Sequence, residues 1–174
     1  MKKLKDYNIS FIGLKDGEHQ FEYEIDNSFF ELFDYTELND TALKTTVDLV
    51  KRPNMLTLQF KALGSVGVNC DVSNEPYQET IDSELKLVVK FGDSLNDDNE
   101  ELLIVPHNTY ELNVAHYIYE MLILALPTKR VHPGVLDGTL KSEILDKLRE
   151  LEPKINEEVE EVDPRWNKLK GLIK

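Results

Sequence analysis

Cysteine is scarce in this chain, since Cys70 is the only one among 174 residues. A single cysteine excludes an intramolecular disulfide, and it excludes the paired cysteines from which structural zinc sites are usually built. A lone thiol suits a reducing compartment, so we expect a cytoplasmic protein.

Long hydrophobic runs are also missing. The longest near-apolar stretch, Val114 to Leu126, is interrupted by His116 and Glu120 and is shorter than the roughly 20 residues that span a bilayer. The amino terminus, Met-Lys-Lys-Leu-Lys-Asp, is not followed by the apolar region and cleavage site of a signal peptide. We therefore expect no association with a membrane and no secretion.

Recognisable catalytic and ligand-binding motifs are absent as well. The chain contains no Gly-x-Ser-x-Gly elbow and no glycine-rich phosphate loop. The acidic segment 93–101 lacks the spacing of a calcium loop and predicts a solvated loop. Because 33 acids make chance pairs of carboxylates abundant, such pairs do not indicate a hydrolase. We predict a protein that is not an enzyme and needs no cofactor.

Basic charge is low relative to acidic charge, with 20 Lys and Arg against 33 Asp and Glu and a net charge of −13. Most of the excess lies in residues 93–101 and 143–163, which carry −5 and −6. Extensive binding to bare RNA is disfavoured, because phosphate contacts need lysine and arginine. A basic protein partner is electrostatically easier.

The first ninety residues alternate apolar and polar side chains, which predicts β-strands. Tyr7 to Phe11 and Phe21 to Ile25 flank the turn-forming Lys15-Asp16-Gly17, and we predict that they form a hairpin. A short helix is predicted over Ser28 to Tyr35, and a further strand over Leu43 to Leu49.

Two longer alternating runs, Leu56 to Val68 and Ile81 to Phe91, predict an antiparallel pair. Their connection, Cys70 to Pro76, would then be displayed at the end of a sheet. Gly64 and Gly67 are expected to mark bends or bulges in the first of these strands.

Helical patterns dominate the second half. Asn108 and Glu111 have the spacing of a capping box, which predicts a helix from residue 109 to Leu126, ended by Pro127. Because Glu120 is almost the only charge over its last three turns, we expect this helix to be covered on several sides and to pack on the sheet.

The C-terminal part predicts a weaker helix over Lys141 to Glu152. An acidic linker and an amphipathic terminal helix containing Trp166 follow, and that helix packs either on its own domain or on a partner. We predict one α+β domain over residues 1–152, with a largely antiparallel sheet that could curl towards a barrel, and a linker and helix over residues 153–174.

Two segments together resemble a known family. Val66-Gly-Val-Asn-Cys-Asp-Val-Ser-Asn-Glu-Pro76 is similar to the segment of the YceD family of bacterial and plastid proteins that usually reads Cys-x-Arg-Cys-Leu-x-Pro. Asn113 to Pro127 is similar to the family's apolar helix, which carries a glutamate and closes on Leu-Ala-Leu-Pro. Cys70 and Pro76 hold the positions of the family motif.

The chain departs from the family pattern within that motif. Val72 stands where the family commonly has arginine, and Ser73 stands where it has a second cysteine. The closing Asp163 to Lys170 also resembles the family's ending, so the resemblance covers roughly residues 55–172.

The resemblance implies a role in the accumulation of large-subunit ribosomal RNA. We therefore predict a cytoplasmic, non-enzymatic ribosome-assembly factor whose partner is a large-subunit precursor particle or a basic ribosomal protein. An acidic protein-binding module unrelated to ribosomes is the competing hypothesis.

The displayed motif and the segment after the apolar helix are the candidate partner-binding site. Its residues are predicted to be Cys70, Asp71, Glu75, Pro76, Arg130 and His132. For Cys70 and His132 the favoured interpretation is a small buried thiol and a polar histidine, and the alternative is the remnant of a metal site.

Overall fold

The computed structural model describes residues 3–93, 95–99 and 101–151. The chain divides into two compact units, Met1–Thr139 and Leu140–Lys174. The predicted acidic linker and terminal helix, and with them the domain boundary at residue 152, lie outside the described residues.

The described strands, all in the first unit, are β1 Asn8–Ser10, β2 Gly17–Ile25, β3 Asn39–Arg52, β4 Met55–Asn69, β5 Pro76–Gly92, β6 Asn96–Asn99, β7 Leu102–Pro106 and β8 Glu111–Asn113. The helices of this unit are α1 Asn27–Phe30, α2 Ala115–Ala125 and α3 Pro133–Leu136, with short 3-10 turns at Leu4–Tyr7 and Glu31–Phe33. The second unit contains α4 Glu143–Leu151.

Six strands form an open main sheet in the order β2-β3-β4-β5-β7-β6. Neighbouring strands are antiparallel except β5 and β7, which run parallel. Strands β1 and β8 form a separate antiparallel pair. The α+β class and the largely antiparallel sheet are confirmed, and the sheet does not close into a barrel.

The predicted pairing of the two long runs is confirmed. Strands β4 and β5 pair antiparallel from Met55 opposite Lys90 to Asn69 opposite Pro76. Strands β3 and β4 form a second hairpin around Pro53 and Asn54, where proline and asparagine favour the tight turn.

One face of the main sheet forms the core because the apolar residues of each strand share one parity. The side chains of this face with no exposed surface include Val47, Leu49, Leu56, Leu58, Phe60, Leu87 and Val89. Helix α2 lies over β5 and contributes Ile118 and Leu122 to this core. Each fully buried leucine or isoleucine stabilises the fold by about 1.5–3 kcal/mol relative to exposure.

The opposite face of the sheet is polar. Lys44 Nζ lies 2.9 Å from Glu22 Oε2 across β2 and β3, and Lys61 Nζ lies 3.4 Å from Glu84 Oε1 across β4 and β5. These pairs are more than half exposed, so each contributes little to the free energy of unfolding. These charged side chains keep the face in contact with water. Because burying them would be costly, they also determine which side of each strand faces the core.

An irregularity lies near the two glycines, but the extra residue is in β3 and not in β4 as predicted, since β4 pairs with β5 without a shift. The register of β3 and β4 shifts between Asn39 and Ala42, opposite Gly67 and Ser65. A Cβ at Gly64 would lie 2.2 Å from the Ala42 carbonyl oxygen, and one at Gly67 would lie 2.6 Å from that of Asn39. Only glycine allows the two backbones to approach this closely.

The predicted N-terminal hairpin is wrong. Ile9 of β1 pairs with Leu112 of β8, while Phe21 of β2 pairs with Val47 of β3. Alternation correctly identified both strands, but it carries no information on which strands become neighbours. The predicted short helix after β2 is confirmed as α1 and the 3-10 turn that follows it.

The predicted capping box at Asn108 is also wrong. Glu111 lies in β8, and the helix begins at Ala115, whose N–H donates to Asn113 Oδ1 at 3.1 Å. Pairing with β1 overrides the local helix signal. The helix end is as predicted, with Leu126 in an extended conformation before Pro127.

One smaller expectation also needs correction. The segment predicted as a solvated loop contains β6, which pairs with β7. The expectation that helix α2 is covered on several sides and packs on the sheet is confirmed, since within the helix only His116, Glu120 and Leu124, spaced by four residues, are exposed. The predicted helix over Lys141 to Glu152 is confirmed as α4.

Replacing Gly64 by alanine is expected to destabilise the protein by about 3 kcal/mol, because Gly64 has φ of +150° and its Cβ position is filled by backbone atoms. Urea denaturation followed by circular dichroism measures the change. Gly13 is the matched control, since nothing lies within 4 Å of its Cβ position, and Gly13→Ala should change the free energy of unfolding by less than about 1 kcal/mol. Equal effects of the two substitutions would contradict this account.

Candidate functional site

The connection between β4 and β5 is a tight, internally bonded loop. The Cys70 N–H donates to the Glu75 carbonyl oxygen at 2.9 Å, and the Asn74 N–H donates to the Cys70 carbonyl oxygen at 2.8 Å. Asn74 has φ of +58°, a left-handed conformation that asparagine tolerates better than most residues. These hydrogen bonds therefore hold the loop in one backbone conformation at the end of the hairpin.

The segment after α2 is tied to this loop by one backbone–backbone and one backbone–side-chain hydrogen bond. The Asp71 N–H donates to the Arg130 carbonyl oxygen at 2.8 Å, and the Arg130 N–H donates to Asp71 Oδ2 at 2.7 Å. Arg130 Nε also lies 3.8 Å from Asp71 Oδ1. Two segments far apart in sequence thus form one surface.

Cys70 joins the two segments through its sulfur. The Sγ atom accepts the N–H of His132 at 3.3 Å and the N–H of Ser73 at 3.4 Å, and the side chain is only 2% exposed. The predicted small buried thiol is confirmed. Ser73, which stands in place of the family's second cysteine, is itself buried and close to that sulfur.

The environment of Cys70 favours the thiolate. Burial by itself raises the pKa of a thiol, but the N–H donors of His132, Ser73 and Val72 and the Ser73 side chain together lower the pKa of Cys70 to about 7 from its ordinary 9.0. A negative sulfur is a stronger hydrogen-bond acceptor, so ionisation strengthens the link between the loop and residue 132.

His132 acts as a helix cap. Its Nδ1 accepts the Gly134 N–H at 2.8 Å at the start of α3, and Pro133 occupies the first helical position, where proline is favoured. The imidazole ring also packs edge-on against Tyr77, with ring centroids 5.5 Å apart. Cys70 therefore contacts His132 through the backbone N–H of His132, while the ring nitrogen Nδ1 accepts the N–H of Gly134.

Arg130 lies between two carboxylates. Its Nη1 is 3.5 Å from Glu37 Oε2, in addition to the contact of its Nε with Asp71. The Tyr35 hydroxyl donates to Glu37 at 3.2 Å, and burial followed by the charge of Glu37 raises the pKa of Tyr35. The Arg130 side chain is 26% exposed and lies within 4 Å of both carboxylates.

All six residues of the predicted site lie at the same end of the β4–β5 hairpin. Cys70 and Asp71 bond directly to the segment containing Arg130 and His132. Glu75 is exposed and closes the loop through its carbonyl oxygen. Pro76 begins β5 opposite Asn69 and is also exposed.

Sequence reasoning missed two members of this cluster. Glu37 and Tyr77 lie in segments without a motif, and no pattern of spacing indicated that they would contact Arg130 and His132. Within residues 3–93, 95–99 and 101–151, no group of three or more His, Cys, Asp and Glu residues could hold a metal ion.

The arrangement belongs to an α+β domain that displays a rigid, partly charged loop at one end of a long hairpin. A family model described as "Large ribosomal RNA subunit accumulation protein YceD" matches residues 58–173, more than half of the chain. The chain therefore belongs to the YceD family.

The match includes β4, the displayed loop, α2 and the segment that contains Arg130 and His132. No curated protein and no solved structure matches the chain significantly. None of the helices in the described part of the chain combines the length and apolar character needed to cross a bilayer.

Cys70→Ala is expected to destabilise the protein by about 1–3 kcal/mol, because the buried N–H of Ser73 and the half-buried N–H of His132 lose their acceptor. The effect should depend on pH. Since the folded-state pKa is lower than the ordinary value, ionisation of Cys70 stabilises the fold; this contribution is complete above about pH 9 and is lost as the pH falls through about 7.

Urea denaturation of both proteins between pH 6 and 9 measures this difference, and the ultraviolet absorbance of the thiolate gives the pKa directly, with Cys70→Ala as the blank. A thiol that titrates near 9, or a difference in stability that does not grow with pH, would contradict the expectation.

Proposed function

We propose that this protein is a non-enzymatic ribosome biogenesis factor that supports the accumulation of large-subunit ribosomal RNA. The observation that carries the proposal is the family match over residues 58–173. The family is described by an effect on ribosomal RNA and not by a reaction. We further propose that it acts in the cytoplasm, where the precursor particles are assembled.

The partner proposed is an early large-subunit particle or a basic ribosomal protein. The net charge of −13 disfavours extensive contact with bare phosphates and favours a basic protein surface. The loop at the β4–β5 end supports this choice, because Asp71 and Glu75 are exposed on a backbone held by hydrogen bonds. A preformed loop loses little conformational entropy when it binds.

Deleting the protein from its source cell should lower the ratio of large- to small-subunit ribosomal RNA. A tagged protein should sediment with large-subunit precursors in a gradient, and nuclease treatment of the sample shows whether RNA holds the complex together. An unchanged RNA ratio, with a nuclease-resistant non-ribosomal protein as the partner, would instead select the competing function, an acidic binding module unrelated to ribosomes.

Glu75→Lys should weaken co-sedimentation with the precursor by about fivefold, as expected for loss and reversal of one charge at the edge of an interface. Glu18→Lys is the matched control, because Glu18 is also exposed but lies in β2 opposite Val50, at the other end of the sheet. Equal loss with both variants would indicate a general charge effect and would contradict a role for the loop.

A further inference from the structure

Helix α4 leaves one apolar side uncovered. The helix buries Leu145, but Ile144, Leu148 and Leu151 are 43%, 44% and 78% exposed. Spacings of four and three residues place these three side chains on one side of the helix, and we call them the α4 stripe. A single exposed leucine is common, whereas a line of three on a helix of nine residues is an apolar face of the kind that packs against another element.

The sequence beyond α4 provides a matching apolar pattern. Trp166, Leu169 and Leu172 recur at every third position of the predicted terminal helix. We call residues 164–174 the terminal segment. It contains no acid and four cations, which are Arg165, Lys168, Lys170 and Lys174. Two amphipathic helices bury their apolar sides by packing side by side.

The connection between the two patterns is long enough for them to meet. Both belong to the second compact unit, Leu140–Lys174. Residues 152–163 join α4 to the terminal segment and span up to about 40 Å when extended. A return along α4 needs less, because the helix is about 14 Å long and packed helices lie about 8–10 Å apart.

The same connection gives the terminal segment an advantage over any separate protein. A short tether holds two groups at an effective concentration in the millimolar range. A separate partner rarely reaches that concentration in a cell. At equal intrinsic affinity for the α4 stripe, the terminal segment therefore displaces the partner.

Charge adds a smaller preference. Asp146 and Arg149 lie 3.7 Å apart and offset each other. The other charged residues of α4 are Glu143, Lys147 and Glu150, which leaves a net charge of −1. A second copy of α4 would bring equal charges together, whereas the terminal segment brings cations.

We propose that the terminal segment of the same chain covers the α4 stripe and buries Trp166 against it. The competing occupants are a partner protein, which the tether disfavours, and a second copy of α4, which charge disfavours. The apolar side of the terminal helix then completes the chain's own second unit and is not available to a partner. The inference does not rest on the proposed function, because it uses only the burial, charge and connectivity of this chain.

The test uses the full chain and its single tryptophan. Because Trp166 lies in the terminal segment, its fluorescence reports on that segment alone. We expect its emission at shorter wavelength, and its quenching by acrylamide to be weaker, than in a synthetic peptide of residues 164–174. The emission should not depend on protein concentration.

Substitutions in the α4 stripe should release Trp166. Leu148→Asp should lower the ratio of docked to undocked segment about tenfold, and Leu148→Asp combined with Leu151→Asp about a hundredfold, as expected for the loss of one and two buried leucine contacts. Emission and quenching should move towards those of the free peptide in the same order.

Leu63→Asp is the matched control, because Leu63 is 62% exposed and lies on the polar face of the sheet. The same chemical change there should leave the emission and quenching of Trp166 unaltered. Leu148→Ala preserves the helix propensity of α4 and should give a smaller change in the same direction as Leu148→Asp, which separates lost docking from an unfolded helix. Trp166→Ser leaves the sequence of α4 intact and should shift the amide NMR signals of residues 143–151.

Three outcomes would overturn the proposal. The first is a parent protein whose Trp166 emits and is quenched like the free peptide. The second is a protected Trp166 that none of the α4 substitutions releases, together with unshifted amides of residues 143–151 in Trp166→Ser. The third is protection that disappears on dilution, which would assign the α4 stripe to a second copy of the chain.

Discussion

The long antiparallel pairing of β4 with β5 is the constraint on which the rest of this structure depends. It runs without a register shift from Met55 opposite Lys90 to Asn69 opposite Pro76. Because side chains alternate between faces, a slip of one residue would bring the polar face into the core. The same pairing fixes where the loop between the strands is displayed. The core and the candidate site therefore both depend on the pairing of β4 with β5.

The displayed loop is rigid because it is bonded on both sides. Hydrogen bonds within its own backbone close the loop. Asp71, which is distant from Arg130 in sequence, donates its N–H to the Arg130 carbonyl oxygen and accepts the Arg130 N–H with its side-chain carboxylate. The sulfur of Cys70 accepts two further N–H groups in a buried position. In this member of the YceD family the motif cysteine therefore has a structural role, which it performs through these hydrogen bonds. That role requires neither a metal ion nor a second cysteine at the position of Ser73.

The charge of the chain limits what its surface can bind. The chain has a net charge of −13, and Asp71 and Glu75 are exposed on the loop. Phosphates would meet carboxylates there, so extended contact with bare nucleic acid is disfavoured. The proposal of a basic protein partner is based on this charge.

The sequence by itself determined the longer strands, the position of the β4–β5 loop, the end of α2 at Pro127 and the acidic character, because periodicity, proline and charge are local properties. Arg130 and His132 were included in the candidate site as a guess, and the sequence carried no evidence that they contact the motif cysteine. Only the tertiary structure decided that β1 pairs with β8, that Glu111 lies in a strand, and that Glu37 reaches Arg130. These features depend on which distant segments become neighbours, and burial and backbone pairing between them outweigh local signals.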